Sequence, residues 1–342
     1  MIIRQLIQTL TYYCCLAVFL FHAGNISAQD TLDVDVLDFF DQNQVRWIKQ
    51  IPEKNIERAV EKKGWLKRLL LGKGELTSFQ KPMSVIPLNR NENIVLDQGN
   101  GTIFFTDESE LEIPRLLRKS DSVFPSLVAA CMMPNKDLLF TDSKLNMIYV
   151  LNEDQKKLKP LHPQLKLQQP TGIAYAASAH EIWVVETGAH QVSILDLSGN
   201  KLRSFGQRGS GPGEFNYPTS IWIDKQGQAY VVDALNYRIQ IFDAEGNFVS
   251  MFGENGNGTG FIASPKGIAT DSHGHIYLVD ALFHGVQIFD QQGNYLYQFG
   301  KQGRNQSEFW MPSGIFIDQN DHIYVADSYN KRIQVFELIF TK

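Results

Sequence analysis

Residues 265–300 read PKGIATDSHGHIYLVDALFHGVQIFDQQGNYLYQFG. Four short runs rich in β-branched and aromatic residues stand out: Gly267–Thr270, Ile276–Asp280, Val286–Phe289 and Tyr295–Phe299. Turn-forming residues separate them, so the stretch predicts four successive strands rather than a helix. The closing Phe-Gly recurs at Phe205-Gly206, Phe252-Gly253 and Phe299-Gly300, each 47 residues from the next. An acid that ends the second strand keeps the same step, at Glu186, Asp233, Asp280 and Asp327. A fixed period of this size is the mark of a solenoid or a propeller.

Working outward, the opening proline recurs at Pro82, Pro125, Pro170, Pro218, Pro265 and Pro312, and the acid extends back to Asp97 and Asp142. Six four-stranded units predict an all-β fold, a six-bladed β-propeller of antiparallel blades. Asp196, Asp243 and Asp290 each start a turn of the Asp-x-x-Gly-Asn kind, in which Asp can bond its own backbone and Gly accepts positive φ. The last unit stops after its third strand, Ile333–Phe336. Upstream, Trp65–Gly72 ends as the outer strands do, and the expectation is that it completes the last blade and covers a bare edge. The propeller is then 65–342. Residues 29–64 form an N-terminal extension, with a short surface helix expected over 52–63.

Residues 1–28 read as a signal peptide: Arg4, an apolar run Tyr12–Phe21, and Ile26-Ser27-Ala28 before Gln29. The run is too short and too soon interrupted for a membrane span, so none is expected after its removal. The expected location is secreted or periplasmic. Cys14 and Cys15 lie inside that segment, and Tyr12-Tyr13 before them is not a lipoprotein cleavage pattern. Cys131 alone remains, so no internal disulfide is expected and the thiol reads as a small buried apolar group. A net charge of −5 gives no basic footprint for nucleic acid.

The units resemble NHL repeats. Pro312-Ser313-Gly314-Ile315 and Ile323-Tyr324-Val325-Ala326-Asp327-Ser328-Tyr329-Asn330-Lys331-Arg332-Ile333 follow that family's pattern, as do Tyr230–Ile239 and Phe205–Gly209. The last four units carry the match, and the first two follow by spacing. The resemblance implies a propeller of an exported, bacterial type, and one fold hosts many functions.

Three groups of residues are candidates for chemistry. The six acids could converge on calcium, but a residue repeated in every blade is better explained by bonding the turn that follows it. His190 and His284 share one offset on alternate blades, resembling the zinc-binding histidines of peptide-amidating propeller lyases; Gly101 stands where a third would be. No cofactor is predicted, with calcium and zinc as the alternatives. Gly-x-Ser-x-Gly, His-Glu-x-x-His and Walker motifs are absent from the sequence. The third group is a loop face gathering His190, Tyr237, Arg238, Lys266, His284, Lys331 and Arg332 at the pore mouth, suited to a peptide, glycan or small anionic ligand. The expected function is an exported binding or scaffold module; the alternative is a metal-dependent propeller lyase or lactonase with its site in the axial channel.

Overall fold

The computed structural model describes residues 43–52, 78–107, 110–112, 124–152 and 157–340. The signal peptide, the expected helix beyond Pro52 and the segment Trp65–Gly72 lie outside the described residues. Residues Val45–Ile339 form one compact unit.

The architecture is six four-stranded antiparallel sheets. The first strand of the chain is β1 (Asn43–Ile51). Blade one follows as β2 (Pro82–Pro87), β3 (Asn93–Asp97), β4 (Thr102–Asp107) and β5 (Glu110–Glu112). Blade two is β6 (Leu127–Met132), β7 (Leu138–Asp142), β8 (Met147–Asn152) and β9 (Lys157–Pro160). Blade three is β10 (Pro170–Ala176), β11 (Glu181–Glu186), β12 (Gln191–Leu195) and β13 (Lys201–Phe205). Blade four is β14 (Pro218–Ile223), β15 (Ala229–Asp233), β16 (Arg238–Phe242) and β17 (Phe248–Phe252). Blade five is β18 (Pro265–Thr270), β19 (Ile276–Asp280), β20 (Gly285–Phe289) and β21 (Tyr295–Phe299). Blade six is β22 (Ile315–Ile317), β23 (His322–Asp327) and β24 (Arg332–Phe340), and its outer strand is β1, in the order β1-β24-β23-β22. Each inner strand lies beside the next around the axis, and β22 lies beside β2, so the ring is closed.

An N-terminal strand therefore completes the last blade, as expected, but that strand is Asn43–Ile51 and not Trp65–Gly72. The physical reason is that an outer strand is half solvated. Its sequence, NQVRWIKQI, carries little apolar periodicity, and only Ile51 is buried while Ile48 is partly so. The outer strands β13 and β17 are likewise largely exposed.

The core lies between blades, not within a central mass. Trp183, Phe215, Val231 and Phe242 fill the seam of blades three and four. Phe299, Phe309 and Phe336 fill that of blades five and six, with ring centroids 5.0–6.3 Å apart. The Phe-Gly mark has a direct cause here. Gly206 has φ +93, and a Cβ on it would lie 2.5 Å from the Phe215 ring, which plugs the junction to the next blade. The hairpin turns also form as the sequence suggests: Asp196 Oδ1 accepts the Ser198 and Asn200 N–H groups at 2.8 and 2.9 Å, and Asp243 and Asp290 repeat the arrangement.

Candidate functional site

The six acids close the second strands, and each is at most 2% exposed. Their oxygens are occupied by the chain itself. Asp97 accepts the Gln80, Lys81 and Asn100 N–H groups, and Asp280 accepts those of Ala263, Ser264, Leu282 and Phe283. Each acid thus ties the segment approaching an inner strand to the turn on the same face. Burial raises the Asp97 and Asp327 carboxyls despite these bonds. At Glu186 burial also raises, but Ser193, Gln191, the Gln168 N–H and Lys201 together hold the carboxyl below its ordinary value. Carboxylates saturated by N–H donors in this way do not fit a calcium site, which needs free oxygens.

Arg238 and Arg332 are buried behind the face rather than on it. Arg238 gives Nε to Asp233 at 2.8 Å, and its Nη atoms to the Ser210, Gly211 and Glu214 carbonyls and to Met251 Sδ. Arg332 repeats this with Asp327, Asn305, Glu308 and Gln50. A buried guanidinium whose donors are engaged inside the chain, all five in Arg238 and four in Arg332, has little to offer a ligand. Both arginines brace the loop that leads into their own blade.

The position four residues after each acid is a conformational one. Gly101, Asn146, His190, Tyr237, His284 and Lys331 all have φ between +52 and +61. That explains Gly101 in blade one, where the sequence suggested a missing ligand, and Asn146 in blade two. His190 Nδ1 accepts the Tyr217 N–H at 3.1 Å and His284 Nδ1 accepts the Met311 N–H at 3.1 Å. Asn146 Oδ1 does the same for Gln169 N–H at 2.9 Å. Each recipient precedes the proline of the next blade and itself has φ near +50. The imidazoles are therefore blade-to-blade latches. Because Nδ1 accepts, the neutral ring carries its proton on Nε2, which then donates and cannot ligate; zinc-binding histidines normally donate through the nitrogen that faces away from the metal. The two rings do not fit the zinc arrangement. Among the described residues no group of three or more His, Cys, Asp and Glu lies within reach of one ion.

What the face does leave open is an arc of apolar side chains on blades four to six, beside a cationic mouth. Leu235, Leu282 and Tyr329, each two residues after an acid, are 51%, 57% and 52% exposed. Tyr237 and Lys331 stand beside this arc, and Lys331 Nζ donates to Gln80 Oε1 at 2.8 Å. At the mouth itself a hydroxyl pattern repeats. Thr171 pairs with Thr187, which donates to the Pro218 carbonyl at 2.6 Å, and Ser313 pairs with Ser328, which donates to the Pro82 carbonyl at 2.7 Å. Ser126 and Ser143 pair likewise at 2.8 Å. The pair is confined to blades two, three and six: blade one has Met83 and Gln98, blade four Thr219 and Ala234, and blade five Lys266 and Ala281, where the position after the proline carries a charge. Lys266 is open to water yet walled by the mouth, and that desolvation lowers its pKa, with Asp280 opposing and the like charge of Lys81 adding to it.

Sequence reasoning placed Lys266 and Lys331 on the face and missed Lys81 and the exposed apolar arc. The repeat alignment contained the signal for the arc: an apolar residue at a turn position that faces no neighbouring blade. Cys131 lies in the inner strand β6, half-buried, and burial pushes its thiol up to about 12, which removes any nucleophilic role near neutral pH.

Residues 309–336 match the NHL repeat family, and residues 164–234 match a family described as 6-bladed beta-propeller. No curated protein sequence matches the chain. Among solved structures, it is similar to an auxiliary nutrient binding protein from Bacteroides ovatus at 14% identity, covering 87% of this chain and 77% of that one, with TM-score 0.61. A similarly described protein from Bacteroides thetaiotaomicron has 16% identity, coverage of 76% and 70%, and TM-score 0.61. Virginiamycin B lyase from Staphylococcus aureus has 14% identity, coverage of 78% and 99%, and TM-score 0.54. At such identities the likeness is one of fold.

Proposed function

We propose that this chain, an NHL-repeat six-bladed β-propeller, is an exported binding module that takes an anionic ligand across the loop face at the pore mouth. One observation carries the reading: Lys266, the one charged residue to follow an opening proline, is presented to solvent beside Lys81. The repeated acids, Arg238 and Arg332 are spent on holding the chain together, whereas the Lys266 ammonium makes no hydrogen bond among the described residues. Around it, Leu235, Leu282 and Tyr329 offer apolar contact for the body of a peptide or glycan. Two of the similar structures are named nutrient binding proteins, which accords with binding rather than turnover. The leader-like N-terminus supports a location outside the cytoplasm.

The test is calorimetric titration of the purified protein with an acidic heptapeptide, an oligogalacturonate and citrate, in low and high salt. Binding of at least one probe that weakens with salt and is lost in Lys266→Gln supports the module. Stoichiometric tightly held zinc or calcium in the purified protein, with none of the anions binding, would favour the lyase or lactonase alternative instead.

A further inference from the structure

The seam where the chain closes its ring carries a second feature, on the side of the propeller opposite the loop face. A groove of about 510 Å³ lies between β1 and β24 of blade six and the β2–β3 turn of blade one. Its volume falls in the usual range for small-molecule sites, about 300–1,000 Å³. Trp47 and Ile48 form an apolar side backed by the buried Val335 and Tyr324, and Arg46, Lys49, Arg90 and His322 stand around it with a single carboxylate, Glu337. Within a chain of net charge −5, this is a local excess of positive charge.

The charges are not equivalent. Arg46 is paired with Glu337, which neutralises the one acid lining the groove. Lys49 Nζ donates to the Arg90 carbonyl at 2.9 Å and so holds the blade-one turn against β1. His322 Nδ1 and the Tyr324 hydroxyl both turn to Asp318. The Arg90 guanidinium makes no hydrogen bond or ion pair among the described residues, yet it is close enough to Tyr324 to oppose the rise that burial and Asp318 impose on that phenol. A planar fork of donors therefore lines the same groove as the apolar side.

We infer that this groove is a second binding site, taking the carboxylate of an amphipathic organic acid, with Arg90 as the carboxylate fork and Trp47 and Ile48 against its apolar body. The fork geometry matches a carboxylate better than a point charge would. Blade six is the one whose outer strand comes from the other end of the chain, and β1 supplies Arg46, Ile48 and Lys49 at once. The site is thus a product of ring closure rather than of the repeat. A free acid and a peptide C-terminus present the same group, and the experiment separates them.

The test is ligand-observed NMR and titration of the full protein with 4-phenylbutyrate, its neutral amide, and a Phe-terminated tripeptide with free or amidated C-terminus. The expected result is binding of the carboxylate forms, weakened about tenfold or more in the amides and in Arg90→Gln, as loss of a charge-assisted fork requires. Trp47 lines the groove, so its emission should change on binding and stay silent in Trp47→Phe. Binding of only the free acid or only the peptide assigns the source. Lys266→Gln should leave this binding intact, which separates it from the loop face. Equal binding of acid and amide, no loss in Arg90→Gln with its melting unchanged, or no binding at millimolar concentration would overturn the inference.

Discussion

Replacing His190 by alanine removes the acceptor that His190 Nδ1 provides for the Tyr217 N–H at 3.1 Å. Tyr217 sits at φ 51, a left-handed conformation that its side chain does not favour and that the latch helps to hold. The imidazole is 8% exposed and meets the Tyr217 ring at 4.6 Å, so the amide is shielded in the native protein and only partly opened to water when the imidazole is removed. An unsatisfied buried donor costs about 1–3 kcal/mol, and a value of about 1–2 kcal/mol suits this partly shielded amide. The same arithmetic applies to His284 and the Met311 N–H. The two latches lie on alternate blades without shared partners, so the double variant should cost about 2–4 kcal/mol. His190→Asn is the decisive control, because Asn146 already performs this task in blade two at 2.9 Å. Urea unfolding with an unchanged m-value reads the difference directly. Alanine should lower the midpoint and asparagine should nearly restore it. If asparagine is as damaging as alanine, or if alanine is neutral, the latch reading is wrong.

Arg238→Lys should destabilise about as much as Arg238→Met, by about 3–5 kcal/mol, because Asp233 loses its buried forked partner and a lysine cannot reach the three carbonyls; a mild lysine variant in denaturant melts would contradict this. The Glu186 carboxyl is depressed on folding, so its ionised form stabilises above the ordinary carboxylate range and that contribution is lost as pH falls through the lowered value. Glu186→Gln should therefore be less stable at neutral pH and show a shallower acid decline, measured by thermal melts across pH. A chain beginning at Pro52 lacks β1, exposes Ile48 and Ile51 contacts and bares β24; a loss of about 3 kcal/mol or more, or about 6–12 °C in melting temperature, is expected. An unchanged melt would mean that β1 is not the closing strand. Lys266 has a lowered pKa, so its charged form opposes folding below that value and the opposition fades as pH rises. Lys266→Gln should melt higher than the native protein at neutral pH, as expected where a group is kept for binding rather than stability.

Much of the fold was legible because its causes repeat. The prolines that precede inner strands, the acids that close second strands and the Phe-Gly junctions each answer a local need that recurs in every blade. Strands such as β19, Ile276–Asp280, matched the expected bounds residue for residue. The closing strand was not legible, since β1 sits on an edge and meets its partner β24 almost 300 residues away, where no local pattern specifies the pairing. The site divided along the same line. Residues that recur, His190, Arg238, His284 and Arg332, proved to hold blades together. Lys266 could be placed on the face from the alignment, but that Thr171 and Ser313 at the same position are engaged in hydroxyl pairs becomes visible only in the structure.

The most direct measurement is a crystal structure of the protein with the anionic probe that binds it most tightly at low salt. The account predicts a carboxylate within about 3 Å of Lys266 Nζ, as a charge-assisted bond requires, with the body of the probe against Leu235, Leu282 or Tyr329. A probe seated deep in the channel on a metal ion, or density on the loop face that ignores Lys266, would contradict it.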